Sequence, residues 1–350
     1  GRWPLMGAMA KQRRQRVVLV ADYAWPSLDI ERERLAAVGA EILDARDRDD
    51  DELVEMAADA DGILVNWRTL PVEALEAATD CVVVSRYGVG VDNIPVDRAT
   101  ELGVLVTNVP NFCEEEVADH AMALLLAAAR RIVRFAAQTA GGGWNIDLAP
   151  GMPRLSEQTL GIVGFGRSAR RLASRARGFG MEVLVFTPRL TPADLGEYEA
   201  DVQIADSLED LLEGSDYVSL HAPATEETRG MIGEPELRAM KPDAVLINVS
   251  RGALVDQVAL VRALSDGWIG GAALDVLEQE PPPAAARALL EMENAIVTPH
   301  VAFYSESAIQ TLRQSAAGNV AAVLSGEVPA DVVNRDVLDS SVLRSRGVAL

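Results

Sequence analysis

The sequence predicts an α/β protein of two doubly wound parallel-sheet domains with a cleft between them. Three observations carry this. Short apolar runs rich in β-branched residues alternate with stretches of helical period, the pattern of strand–helix–strand units. The runs fall into two series separated by a long apolar helical stretch. The 350 residues, 49% of them hydrophobic, suffice for two cores.

The first sixteen residues carry Arg2, Lys11, Arg13, Arg14 and Arg16 without an apolar core. They read as a disordered leader or cloning remnant, or else an interaction arm, and not as a signal peptide. The first strand series is Val17–Ala21, Gly62–Val65, Cys81–Ser85 and Val104–Val106. The acidic stretch from Asp44 to Asp61 reads as a solvated loop and helix face. Glu114 to Phe135 reads as one helix opened by Glu114, Glu115 and Glu116, where a helix N-terminus favours negative charge. Its body is apolar enough to predict burial almost all round, between the domains, until Gly141-Gly142-Gly143-Trp144 breaks it. The second series is Leu160–Val163, Glu182–Phe186, Tyr217–Leu220, Ala244–Asn248, Gly271–Leu274 and Ala295–Thr298. Ser305 to Gly326 is a further helix with no strand after it, so it is expected to cross back onto the first domain. The tail after Asn334 reads as loose.

Composition removes several classes. Acidic residues outnumber basic ones 53 to 32, a formal charge of −21, whereas nucleic-acid binding calls for a basic stripe. The two cysteines, Cys81 and Cys113, form neither a disulfide framework nor a zinc motif and suit a reducing, cytoplasmic setting. Three histidines, His120, His221 and His300, are too few for a histidine metal cluster. The longest apolar run, Ala121 to Ala129, falls short of the roughly 18 residues of a membrane span.

Gly161-Ile162-Val163-Gly164-Phe165-Gly166-Arg167-Ser168-Ala169 follows an apolar strand and opens a helix, the context of a dinucleotide-binding turn. Gly164 permits the turn, and Gly166 lets the backbone approach a pyrophosphate on the helix N-terminus. Ala169 takes the third glycine's place. Residues 110–303 are therefore read as a Rossmann-like dinucleotide domain. Residues 16–109 with 304–335 form a discontinuous substrate-binding domain, both domains being of Rossmann-like or flavodoxin-like type, and 1–15 and 336–350 are tails. The strand Val183-Leu184-Val185-Phe186 ends in Thr187-Pro188-Arg189, without the acid that binds ribose hydroxyls in NAD sites. Thr187 and Arg189 could hold a 2′-phosphate, so NAD(P)H is the cofactor class, leaning towards NADP(H). In the alternative, Arg189 is only a solvated loop residue and NAD(H) is taken.

Downstream lie, in order, Arg251, Glu280 and His300. A guanidinium grips a carboxylate with paired hydrogen bonds. An imidazole passes a proton near neutral pH, and a carboxylate orients it and favours its charged form. Below a dinucleotide turn these are the parts for reducing a 2-oxo acid. Singly each has a bland reading: a structural histidine after Pro299, a surface cation, a turn residue before Pro281.

Together the motifs resemble the D-isomer-specific 2-hydroxyacid dehydrogenases, from about Val17 to Asn334. They are Gly164-Phe165-Gly166, His221-Ala222-Pro223, Asn248-Val249-Ser250-Arg251-Gly252, Asp275-Val276-Leu277-Glu278-Gln279-Glu280-Pro281 and Thr298-Pro299-His300. Arg86 to Asn93 and Pro299 to Glu306 look most like the C-terminal-binding-protein subgroup. The resemblance implies His300 as proton donor, Glu280 as its partner and Arg251 on the substrate carboxylate. It implies Val89 and Gly90 amides as further carboxylate donors, and Asp275 as receiver of the nicotinamide amide. Val249, Ser250 and Ala222 to Thr228, with Pro223, would line the cofactor beside Arg167, Ser168 and Cys113, where relatives often have serine. His221 would serve through its backbone and His120 through helix packing. A homodimer through Glu114 to Phe135, a D product and cleft closure on cofactor binding are implied too.

Three departures stand out: Ser168-Ala169, Thr187, and Phe303 where the corepressors of that subgroup carry tryptophan. The Phe303 wall suits an aliphatic, thioether or aromatic 2-oxo acid better than a phosphorylated one. The rival reading is a dinucleotide-sensing corepressor-like protein with vestigial activity. Such proteins carry long extensions, whereas few residues here lie outside the resemblance. Oxidation of formate or phosphite is a weaker third reading.

Overall fold

A computed structural model describes residues 15–344, except 199 and 201 and the side chain of residue 285. The leader lies outside the described residues apart from its end, where Arg16 begins the first strand. The chain divides into two compact units, Gly1–Phe112 with Glu306–Leu350, and Cys113–Ser305.

The first unit runs β1 (Arg16–Val20), α1 (Asp29–Ala36), β2 (Ala40–Asp44), α2 (Asp50–Ala57), β3 (Gly62–Val65), α3 (Val72–Ala77), β4 (Val83–Arg86), α4 (Val96–Glu101) and β5 (Leu105–Thr107). Its five-stranded parallel sheet has the order β2-β1-β3-β4-β5, the doubly wound flavodoxin order. Every residue of β3 and β5 is buried, because helices cover both faces of a parallel sheet. The acidic stretch from Asp44 to Asp61 is the loop after β2 followed by α2, whose start Asp49 and Glu52 close with reciprocal side-chain-to-amide bonds.

The second unit begins with α5 (Glu114–Ala129) and α6 (Ile132–Ala140). It continues through β6 (Thr159–Val163), α7 (Arg167–Gly178), β7 (Glu182–Phe186), α8 (Pro192–Leu195), β8 (Gln203–Ile204), α9 (Leu208–Gly214) and β9 (Tyr217–Leu220). The last part is α10 (Glu234–Ala239), β10 (Val245–Asn248), α11 (Gln257–Asp266), β11 (Gly271–Leu274), α12 (Arg287–Leu290) and β12 (Ala295–Val297). The seven-stranded parallel sheet has the order β12-β11-β10-β9-β6-β7-β8. Chain direction across the sheet reverses at β6, between β9 and β7, which opens a crevice at the strands' C-terminal ends.

The last helix, α13 (Glu306–Ser325), packs in the first unit on α1, β3 and β4. Arg313 of α13 meets the buried carboxylate of Glu31 on α1 at 2.8–2.9 Å, and Tyr87 Oη lies 3.3 Å from the same group. Removing one partner of such a pair costs about 3–5 kcal/mol, because a charge is left buried alone.

The two-sheet α/β class stands as predicted; several details do not. The edge strands β2 and β8 were not foreseen, since Ala40–Asp44 and Gln203–Ile204 are polar at several positions and bury few side chains. The long apolar helix is two. Arg131 adopts a left-handed backbone (φ 51°) between α5 and α6. Burial all round fails: α5 buries one face against α7, β10 and β11, and α6 buries no residue. The described part of the tail, to Arg344, is docked, not loose. Val337 is fully buried, Arg344 bonds the carbonyls of Gly103 and Ala78, and the Asn334 side chain bonds Val106, Val104 and Thr100. Among the described residues no helix is long and apolar enough to cross a membrane, and no cluster of three metal-ligating side chains forms.

Candidate active site

The glycine turn joins β6 to α7. Gly164 has φ 88°, and a Cβ there would stand 2.7 Å from the His221 carbonyl oxygen. Only glycine fits both the conformation and that approach. A Cβ at Gly166 would meet nothing within 4 Å, so the face towards the α7 N-terminus is open. A cradle of this shape, leading into a twelve-residue helix with its positive dipole end forward, fits a pyrophosphate. Ala169 is fully buried, so alanine meets the packing requirement at the third-glycine position.

His221 does more than contribute backbone. Its Nδ1 lies 3.3 Å from Ser168 Oγ on α7 and its Nε2 3.0 Å from Ser219 Oγ on β9. Burial lowers the imidazole to about 4, so it bridges the two serines uncharged at neutral pH. The adjoining loop is self-braced: Thr228 Oγ1 donates to the Pro223 carbonyl at 2.6 Å and accepts from the Thr225 amide at 2.8 Å. Thr228 therefore shapes the loop expected to line the cofactor. Ser250 Oγ donates to the Ala222 carbonyl at 2.7 Å, and Val249 is buried beside it.

Beyond β7 the exposed Arg189 takes a left-handed backbone (φ 65°), and no carboxylate occupies Thr187 or its neighbours Pro188 and Arg189. Arg170 on α7 braces the segment that follows, donating to the carbonyls of Asp194 and Leu195 and lying 4.6 Å above the Phe165 ring. Arg167, at the first turn of α7, stands 3.5 Å from Glu114 and is largely exposed. Cys113 is buried at the N-cap of α5.

Arg251, Glu280 and His300 lie on three loops at the C-terminal ends of β10, β11 and β12. Asn248 Nδ2 donates to the Arg251 carbonyl at 2.9 Å, holding the first loop. Gly252 follows because a Cβ there would fall 1.9 Å from the Leu277 carbonyl group; the Arg251 loop can press against the Glu280 loop only without a side chain. Glu280 uses both oxygens. Oε1 accepts the Leu277 amide at 2.9 Å, and Oε2 lies 2.6 Å from His300 Nδ1. Burial would raise this carboxyl, but the His300 contact and the Leu277 amide outweigh it and hold it below its ordinary value. The ionised carboxylate can only accept, so Nδ1 carries the proton and Nε2 is the other reactive nitrogen. Phe303 stands edge-on to His300, ring centroids 6.4 Å apart, with Tyr304 next to it.

His300 itself has a left-handed backbone (φ 52°). Asp275 supports this: its carbonyl accepts the His300 amide at 2.8 Å, and its carboxylate accepts the amides of Val301 and Ala302 at 3.0 and 2.8 Å. Thr298 Oγ1 donates to the same carboxylate at 2.5 Å, and the side chain is closed to solvent. Asp275 thus holds the turn that carries His300, a task no local sequence signal indicated. His120 does more than pack its helix: its Nε2 lies 3.0 Å from Thr298 Oγ1.

In the first unit Val89 and Gly90 follow β4. Asn108 Nδ2 pins the Val89 carbonyl at 2.6 Å, and the Val89 side chain is exposed. Asp22 gathers the amides of Asn66, Trp67 and Arg68 after β3 at 2.6–3.0 Å. Neither Asn108 nor Asp22 was singled out from sequence, because each acts through backbone groups distant in the chain.

Residues 122–302 match the D-isomer specific 2-hydroxyacid dehydrogenase, NAD binding domain. A glyoxylate reductase of Thermococcus litoralis is 44% identical over 275 residues, 77% of this chain and 82% of that one. The chain belongs to the D-isomer-specific 2-hydroxyacid dehydrogenases. Two solved relatives agree. The D-lactate dehydrogenase of Aquifex aeolicus, complexed with NAD and lactic acid, is 29% identical over 91% of this chain and 99% of that one, TM-score 0.79. The NADPH-dependent glyoxylate/hydroxypyruvate reductase of Sinorhizobium meliloti, in complex with citrate, is 32% identical over 91% and 98%, TM-score 0.77. This dehydrogenase is an NAD(P)-dependent oxidoreductase that moves a hydride between the dinucleotide and a small 2-oxo or 2-hydroxy acid, acting on the CH–OH group. The corepressor-like reading finds no support among these relatives.

Proposed function

We propose that this dehydrogenase works as a reductase of small 2-oxo acids of the glyoxylate type, with His300 as proton donor, Glu280 as its partner and Arg251 as carboxylate anchor. The observation that carries the assignment is the 2.6 Å contact between Glu280 Oε2 and His300 Nδ1. It orients the ring and leaves Nε2 for the substrate. When bound, the reduced nicotinamide supplies the hydride. His300 delivers its proton to the carbonyl oxygen as charge develops there, and Arg251 binds the carboxylate and polarises the carbonyl. The Val89 and Gly90 amides are the further carboxylate donors. Phe303 forms an aromatic wall beside the acid, which suits an unphosphorylated substrate; similarity to glyoxylate reductases favours the glyoxylate type over the larger aliphatic, thioether or aromatic acids.

The dinucleotide is held by Gly164, Gly166, Arg167 and Ser168 at the pyrophosphate, with Cys113, Ala222, Pro223, Thr228, Val249 and Ser250 along its length. NADP(H) is preferred, because Thr187 and Arg189 stand where a ribose-binding acid would repel a 2′-phosphate. The exposed side chains of Ile132, Val133, Trp144 and Ile146, on and after the unburied α6, support a homodimer through this region. A cytoplasmic setting agrees with Cys81 and Cys113 being buried thiols outside any disulfide. Arg86 to Asn93 and Pro299 to Glu306 support a place near the C-terminal-binding-protein subgroup.

The test is loss of nicotinamide absorbance with NADH and NADPH against glyoxylate, hydroxypyruvate, phenylpyruvate, 4-methyl-2-oxopentanoate and 4-methylthio-2-oxobutanoate. Glyoxylate or hydroxypyruvate should turn over best, with NADPH. His300→Ala should lower kcat about 10²- to 10⁴-fold while dinucleotide affinity holds. Undiminished turnover in that variant removes His300 from the donor role.

A further inference from the structure

A polar chain runs behind the acid, and its hydrogens can be assigned from geometry. The carboxylate of Asp275 only accepts, and burial, which would raise it, is outweighed by hydrogen bonds that hold it below its ordinary value. Thr298 Oγ1, 2.5 Å from Asp275 Oδ1, must therefore give its single proton to that oxygen. Towards His120 the same hydroxyl can only accept. His120 Nε2, 3.0 Å from Thr298 Oγ1 and 3.4 Å from Asp275 Oδ1, must then carry a hydrogen. Three elements meet here: His120 on α5, Asp275 after β11 and Thr298 after β12. Asp275 Oδ1 also accepts the Val301 amide, Oδ2 accepts the Ala302 amide, and the Asp275 carbonyl accepts the His300 amide.

We propose that His120 is a positioning residue for the reaction: as an Nε2–H donor it locks Thr298 onto Asp275, and Asp275 in turn holds the left-handed turn that aims His300. The reasoning is steric and directional. His300 occupies a backbone conformation disfavoured for non-glycine residues, so it persists only where the surroundings over-determine it. A threonine with one acceptor partner and no second contact can rotate its hydroxyl away. A histidine in the acceptor direction removes that freedom and strengthens the bond to Asp275 through cooperativity. The role of His120 in turnover rests on His300 being the proton donor; the hydrogen assignment does not.

The chain has three histidines, so nitrogen-15 spectra of labelled protein can resolve each ring. His120 should show the Nε2–H tautomer, and Thr298→Val should shift its ring signals. An Nδ1–H tautomer overturns the proposal, whatever His300 does. In kinetics, His120→Leu should lose about 3- to 10-fold in kcat, the effect of one net buried hydrogen bond, with KM, dinucleotide Kd and Tm little changed. His120→Gln, which keeps an N–H at similar reach, should recover most of the loss. The double variant His120→Leu/Thr298→Val should be no slower than Thr298→Val alone, since both break one chain. Additive losses, or Gln behaving as Leu, overturn the positioning role. If those variants behave as stated but His300→Ala keeps full turnover, the donor assignment fails instead.

Discussion

Replacing Glu280 by glutamine is the sharpest probe of the acid. The carboxylate serves two donors at once, the Leu277 amide at 2.9 Å and His300 Nδ1–H at 2.6 Å. Glutamine has one acceptor oxygen. If it faces Leu277, its NH₂ confronts a protonated Nδ1, and the ring must move that proton to Nε2 or turn away. If it faces His300, the Leu277 amide loses its acceptor. Either way one donor is stranded and a charge-assisted bond becomes neutral or disappears, which costs about 1.5–3 kcal/mol. At about 1.4 kcal/mol per decade, kcat should fall roughly 10- to 150-fold. The lower part of that range fits best, because His300 and Glu280 keep 24% and 34% of their side-chain surface in solvent. Single-turnover reduction at saturating dinucleotide, with deuterated reduced cofactor to report the hydride step, is the assay. Dinucleotide Kd from fluorescence should hold within about twofold, since Glu280 is not assigned to the cofactor. A kcat within twofold of wild type, or a loss confined to KM, would refute the argument.

Arg189→Ala should weaken NADPH far more than NADH by fluorescence titration; equal effects would reject the 2′-phosphate assignment. Gly252→Ala places a Cβ 1.9 Å from the Leu277 carbonyl group, so the two loops must part; Tm should fall with a cost of about 1–3 kcal/mol and kcat should fall with it, and an unaffected kcat would deny the loops their coupling. His221 is held neutral, with its folded value lowered from 6.5 to about 4. The unfolded chain therefore binds a proton that the folded one refuses, and stability should decline as pH drops from about 6.5 towards 4. His221→Gln should flatten that decline in urea unfolding series, and an unchanged slope would contradict the assignment.

The class of the fold and the order of the proposed catalytic groups are legible because both are written in local terms. Apolar runs such as Tyr217–Leu220 report a parallel strand through their own composition, and Gly164, Arg251, Glu280 and His300 sit in short contexts whose chemistry is self-contained. The edge strands β2 and β8 escaped because an edge buries too little to impose a pattern. The break in the long helix is not legible, because the alanines and leucines before Arg130 give no sign that Arg131 will turn left-handed. The docking of the tail is not legible, because Asn334 and Arg344 are anchored by β5 and by the loops around Ala78 and Gly103, more than two hundred positions away.

By itself, then, the sequence determined two parallel-sheet domains, a dinucleotide turn and a trio of guanidinium, carboxylate and imidazole, since each depends on neighbours within a few residues. Only the tertiary structure decided how that trio is held. Gly252 against Leu277, Glu280 shared between Leu277 and His300, and Asp275 gathering Thr298, Val301 and Ala302 with His120 behind them are contacts between separate loops. The physical reason is directional. A hydrogen bond needs its donor and acceptor aligned within a fraction of an ångström, and that alignment comes from the whole sheet and not from any segment of the chain.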